Sequence, residues 1–139
     1  MNYSIIFACV HNSCRSQMAE GFARSILPNS VKVVSAGSEP ATEVNPLAIE
    51  VMQEAGIDIS SQEPKILTTK MLKGATHFIS MGCGVLDSCP VPIVPGTIEI
   101  EDWEIEDPAG KDIDAFRAAR DLIAEKVKGL ASRLQDEST

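Results

Sequence analysis

The tightest constraint on the fold lies near the N-terminus, where the hydrophobic pattern changes period within a few residues. Ile5 to Val10 is an almost unbroken apolar run, the pattern of a strand buried on both faces. From Ser16 the apolar residues Met18, Ala19, Phe22, Ala23 and Ile26 fall on one helical stripe that Pro28 stops. A buried strand that feeds directly into a helix satisfies both patterns. The alternation continues along the chain. Val31 to Ala36 is a second β-branched run closed by Gly37. Asn45 and Pro46 provide an N-cap and a first helical residue; Leu47, Ala48, Val51, Met52 and Ala55 supply the buried face, and Gly56 the stop. Thr68 to Lys73 predicts a short helix ending at Gly74, His77 to Met81 a third strand, and Pro92-Ile93-Val94 a short fourth. From Asp112 the spacing of Phe116, Ala119, Ile123, Val127, Leu130 and Leu134 predicts a terminal amphipathic helix, with a polar, frayed tail from Gln135 to Thr139. Strands alternating with helices predict an α/β fold on a parallel sheet. The length predicts a single domain over residues 1–139. In such sheets a ligand sits beyond the carboxyl ends of the strands, where Cys9 falls.

Charge and composition narrow the function. A net charge of −8 argues against nucleic-acid and acidic-membrane partners. No apolar run approaches the ~18 residues of a membrane span. Residues 1–8 lack a basic region and a cleavage site, so they read as the start of a strand and the cytoplasm is the expected compartment. Four cysteines, at positions 9, 14, 83 and 89, are few for a disulfide scaffold. In a cytosolic chain they point to catalysis, metal binding or burial.

The segment Cys9-Val10-His11-Asn12-Ser13-Cys14-Arg15-Ser16 follows the first strand and opens the first helix. Successive N–H groups in such a turn form an anion nest, and the helix start adds further donors. Val10, His11, Asn12, Ser13, Cys14 and Arg15 are therefore expected to bind a tetrahedral oxyanion, with the planar Arg15 fork gripping two oxygens. The same field favours the thiolate of Cys9, which would attack the bound centre. Ser16 is placed to hydrogen-bond that sulfur, and Asn12 to brace the loop. The competing reading, that Cys9 and Cys14 are small buried hydrophobes, suits Cys14, whose side chain is expected to be structural. His11 is expected on the solvent side.

These residues, followed by Gln17-Met18-Ala19-Glu20-Gly21, resemble the active-site loop of the low-molecular-weight protein tyrosine phosphatases, and still more that of the related thioredoxin-coupled arsenate reductases. Ser35-Ala36-Gly37, Gly56-Ile57-Asp58-Ile59-Ser60 and Asp107-Pro108-Ala109-Gly110 extend the resemblance over nearly the whole chain. It implies a low-molecular-weight phosphatase-like fold with a four-stranded parallel sheet flanked by helices.

A phosphatase of this type needs one cysteine, whereas this chain carries Cys83 and Cys89 after its third strand. The reductase resemblance gives them a use. Attack of Cys9 on arsenate makes a thiol–arsenate adduct. Cys83 then attacks the Cys9 sulfur and arsenite leaves. Cys89 takes over the disulfide, which thioredoxin reduces. The glycines and prolines from Gly82 to Gly96 predict a mobile redox segment. The spacing departs from the reductase pattern, where the resolving pair stands one residue further apart. A zinc site fits poorly, because the pairs 9/14 and 83/89 have four and five intervening residues, outside the tight knuckle spacing at one end at least; no metal and no cofactor are expected.

In the phosphatase relatives an Asp before the last helix is the general acid, which favours Asp107 over Glu106 or Asp102 within an acidic loop from Glu99 to Asp107. Ala109-Gly110 stand where phosphatases often carry tyrosines, which suits a small inorganic oxyanion. Trp103 reads as a packing residue. Asn12, Glu20 and Ser35 match a potassium site of some reductases, but Lys65 takes the place of its Asp, which predicts activity without potassium. Two other functions stay open. One is a phosphatase for phosphotyrosine or small phosphate esters. The other is a redox or oxyanion sensor without turnover.

Overall fold

A computed structural model describes residues 3–81 and 98–138. Four strands, β1 (Ser4–Cys9), β2 (Lys32–Gly37), β3 (His77–Ser80) and β4 (Glu99–Asp102), form one sheet in the order β2-β1-β3-β4. All three pairings are parallel. The helices are α1 (Arg15–Ile26), α2 (Pro46–Glu54), α3 (Thr69–Lys73) and α4 (Ile113–Ser138). The expected α/β class and the four-stranded parallel sheet are both present.

The strand period sorts the core into two layers. Ile5, Phe7 and Cys9 of β1 join Val33 and Ile79 on one face, packed under Met18, Ala19 and Phe22 of α1, Val51 and Met52 of α2, and Phe116, Ile123 and Val127 of α4. Ile6 and Ala8 turn to the other face with Ala36 and Phe78, covered by Leu67, Leu72 and Ala75 around α3. β1 is buried on both sides, as its continuous apolar run requires. Caps fall where the sequence puts them. Asn45 Oδ1 accepts from Leu47 N at 2.9 Å with Pro46 opening α2, and Thr68 caps α3. Asp112 Oδ1 accepts from Ala115 N at 3.1 Å at the start of α4. Gly56 follows α2 at a φ of 82°, the left-handed conformation that ends helices.

Two expectations need correction. Glu99–Asp102, read from sequence as part of an acidic loop, is strand β4, registered against β3 from His77↔Glu99 to Ser80↔Asp102. It is an edge strand with mostly exposed side chains, and edges are where charge is retained to block further pairing. Its acidity therefore hid its pairing. The tail expected to fray from Gln135 continues as helix to Ser138. The proposed strand at Pro92-Ile93-Val94 and the segment with Cys83 and Cys89 lie outside the described residues.

β1 pairs with β2 on one side and β3 on the other, so the strand order reverses at its carboxyl end. That crevice is the expected ligand position of an open parallel sheet, and Cys9 ends β1 within it.

Candidate active site

The loop from Cys9 to Arg15 is shaped from outside. Each carbonyl from Val10 to Cys14 has a donor. Val10 O accepts from Glu39 N (2.8 Å), His11 O from Ala41 N (2.9 Å), Ser13 O from Asn45 N (2.9 Å) and Cys14 O from Met18 N (2.9 Å). Asn12 O accepts from the Gln17 side chain, Nε2, at 2.9 Å. A trans peptide sets its N–H opposite its C=O. Carbonyls drawn outward therefore turn the following N–H groups inward, which is the geometry of an anion nest. One of these donors shows its acceptor: Asn12 N donates to Cys9 Sγ at 3.2 Å.

Cys9 Sγ also lies 2.9 Å from Ser16 Oγ, and Ser16 Oγ accepts from Asn12 Nδ2 at 2.7 Å. Asn12 holds a φ of 50°, a conformation Asn tolerates better than most residues. Its side chain is anchored at both ends, since Oδ1 accepts from Lys65 N at 2.8 Å. Gly37 lies directly against the loop. A Cβ there would stand 2.5 Å from Val10 O and 2.7 Å from Cys9 O.

Arg15 is 4% exposed at the first position of α1. Its Nη1 donates to Met81 O at 2.8 Å and Ile105 O at 2.7 Å. Nη2 is 3.5 Å from Asp107 Oδ2, and the buried Nε has no hydrogen-bond partner among the described residues. Nη1 thus fixes the segments that follow β3 and β4, and the Nε–Nη2 edge, with the Asp107 carboxylate beside Nη2, is the edge left for an anion. A buried guanidinium N–H without a partner is costly, and a tetrahedral oxyanion would satisfy it bidentately.

The sequence-predicted residues Cys9, Arg15, Ser16 and Asp107 come together. Val10 to Cys14 line the loop, while Cys83 and Cys89 lie outside the described residues. Cys14 is buried at the N-cap of α1, and burial pushes its thiol up to about 11, in keeping with a structural side chain. His11 is exposed, with Nδ1 3.0 Å from Glu39 O. Trp103 packs on Phe7, ring centroids 5.6 Å apart. Glu20, 3% exposed, accepts at Oε1 from Ser35 Oγ (2.6 Å) and lies 3.8 Å from Lys65 Nζ, while Oε2 pairs with Arg24 Nε at 3.0 Å. The ammonium of Lys65 stands beside this buried carboxylate. The bracing roles of residues 39–45, Gln17 and Gln62 were not read from sequence. They act largely through backbone groups, and no local pattern announces them.

A four-stranded parallel sheet with a Cys9–Arg15 loop joining β1 to α1 at its carboxyl edge defines a phosphatase-like α/β protein. The chain belongs to the low molecular weight phosphotyrosine protein phosphatase family, whose model matches residues 4–139. It is 40% identical over 131 residues to the glutaredoxin arsenate reductase of Synechocystis sp., covering 94% of this chain and 97% of that one. A solved arsenate reductase in the phosphate binding state superposes with a TM-score of 0.84 at 38% identity, covering 94% of this chain and 98% of that one. The thioredoxin-dependent arsenate reductase of Corynebacterium glutamicum gives 0.83 at 34% identity, covering 98% of this chain and 63% of that longer one.

Proposed function

We propose that the chain reduces arsenate to arsenite with three cysteines, Cys9, Cys83 and Cys89, regenerated by thioredoxin. The observation that carries the reading is the divided Arg15. Its Nη1 holds the carbonyl of Met81 at 2.8 Å, while its buried Nε has no hydrogen-bond partner among the described residues. Met81 stands two residues before Cys83 in sequence. The residue that would grip the oxyanion also anchors the root of the segment that would resolve the adduct.

The steps balance as follows. The Cys9 thiolate, hydrogen-bonded by Asn12 N and Ser16 Oγ, attacks arsenic(V) and an arsenate oxygen leaves as water; Asp107 is placed to supply a proton. The Cys83 thiolate attacks the Cys9 sulfur. The S–S bond forms, the S–As bond breaks, and its electron pair stays on arsenic, which departs as arsenite. Cys89 attacks Cys83 and frees Cys9. A thioredoxin dithiol returns the two electrons. The loop N–H groups and the Nε–Nη2 edge of Arg15 would hold the three remaining oxygens throughout. The thioredoxin-dependent relative supports the choice of donor; the glutaredoxin-named relative makes the donor the part most worth testing.

A phosphatase reading draws on the same Cys9, Arg15 and Asp107 without the other cysteines. Cys83→Ser separates the two. It should abolish catalytic arsenate reduction and leave any hydrolysis of a phosphate ester intact. Arsenate turnover that survives Cys83→Ser would refute the relay.

A further inference from the structure

Of the four peptides between Val10 and Cys14, three have their carbonyls held from outside by backbone N–H groups, those of Glu39, Ala41 and Asn45. The fourth, Asn12–Ser13, is held by a side chain, that of Gln17. We propose that Gln17 is a positioning residue that aims the Ser13 N–H at the bound oxyanion.

Gln17 is fully buried. Its Nε2 lies 2.9 Å from Asn12 O, 3.1 Å from Asn12 Oδ1 and 3.1 Å from Glu63 O, so one amide group serves both the main chain and the side chain of Asn12. Its own orientation is fixed in turn. Gln62 Nε2 donates to Gln17 Oε1 at 2.7 Å and to Gln17 O at 3.0 Å. That bond identifies the Nε2 end of Gln17, because an amide facing a donor presents its oxygen. With the Asn12 carbonyl drawn toward Gln17, planarity of the peptide turns the Ser13 N–H the opposite way, into the loop. Asn12 sits at positive φ, so this peptide joins the left-handed residue to the rest of the loop. Its rotation is the easiest failure of the nest, and Gln17 opposes it. The thiolate contact is separate, since Asn12 N belongs to the preceding peptide, held by Ala41 N.

The inference rests on the reading of the loop as an anion cradle, and inorganic phosphate tests both. Gln17→Met keeps length and burial but removes the donor. It should raise the phosphate dissociation constant of the reduced protein roughly tenfold, the scale of one hydrogen bond to an anion, and shrink the rise in Tm that saturating phosphate gives. A merely structural role would lower Tm with and without phosphate alike and leave the dissociation constant unchanged, which would overturn the proposal. The wild-type protein supplies an independent readout. On phosphate titration followed by 15N NMR, the Ser13 amide should move downfield together with those of His11 and Cys14. A silent Ser13 amide beside responding neighbours would also overturn it. If wild type binds no phosphate, the cradle itself is wrong and the role of Gln17 falls with it.

Discussion

Replacing Gly37 by Ala should impair the active site through a single methyl group. The Cβ would lie 2.5 Å from Val10 O, 2.7 Å from Cys9 O and 3.0 Å from Asn12 N. Two of these are backbone oxygens at the nucleophile, and the third is the nitrogen that donates to its sulfur. Gly37 cannot easily retreat. It pairs with Cys9 in the sheet, its N–H donates to Lys65 O at 2.8 Å, and its carbonyl accepts from Leu67 N at 2.9 Å. The loop must therefore give. Moving Val10 O from 2.5 Å to the 3.4 Å of ordinary contact takes about 0.9 Å of displacement. Overpacking of this kind costs about 1–3 kcal/mol of stability. A misplacement near 1 Å costs on the order of 100-fold in rate. The variant should therefore fold, with Tm lowered by roughly 4–12 °C, while arsenate turnover and the alkylation rate of Cys9 fall far more steeply than the folded fraction. Gly129→Ala is the matched control. It lies within α4 with nothing inside 4 Å of the added carbon, so it should stabilise by about 0.5–1 kcal/mol and leave turnover unchanged. Wild-type turnover in Gly37→Ala would refute the account of how the loop is held.

Three other outcomes follow from particular contacts. Bonds from Arg117, and then from Arg120, hold the Glu54 carboxyl down to about 2 from an ordinary 4.5, linking α2 to α4. Its depressed folded value means that this stabilisation is full above about 4.5 and is lost as pH falls from there toward 2; Glu54→Gln should flatten the urea-midpoint profile in that window, and an unchanged slope would contradict the link. Burial keeps Cys14 protonated, so native alkylation at pH 7.5 followed by peptide mass spectrometry should label Cys9 and spare Cys14; equal labelling would show that Cys14 is accessible. With Lys65 Nζ 3.8 Å from Glu20 Oε1, arsenate turnover should be the same in potassium and sodium salts at equal ionic strength, and strong activation by potassium would remove Lys65 from the role of resident cation.

The first βα unit was legible because everything it needs is local. The change of period at Cys9–Ser16 fixed strand, loop and helix together, and the residue types within the loop are those the proposed chemistry uses. The caps at Asn45 and Thr68 were legible for the same reason. What stayed hidden depends on distant backbone. Residues 39–45 turn the loop carbonyls outward through their own N–H groups, which any sequence carries. Gln17 and Gln62 interlock across 45 residues. The strand at Glu99–Asp102 was masked because an edge strand can be acidic without losing its ladder. The division of Arg15 between Met81 O, Ile105 O and the Asp107 carboxylate was invisible too: the sequence offers a guanidinium but not which of its five donors the fold has already used.

The three-thiol relay can be followed during turnover. Reduced protein is mixed with arsenate, thioredoxin, thioredoxin reductase and NADPH, free thiols are blocked at intervals, and the disulfides are mapped by mass spectrometry as NADPH is consumed. NADPH oxidation should depend on arsenate, a Cys83–Cys89 disulfide should accumulate when thioredoxin is withheld, and a Cys9–Cys83 disulfide should be trapped in Cys89→Ser. Arsenate reduction that leaves Cys83 and Cys89 as free thiols in every sample would contradict the relay.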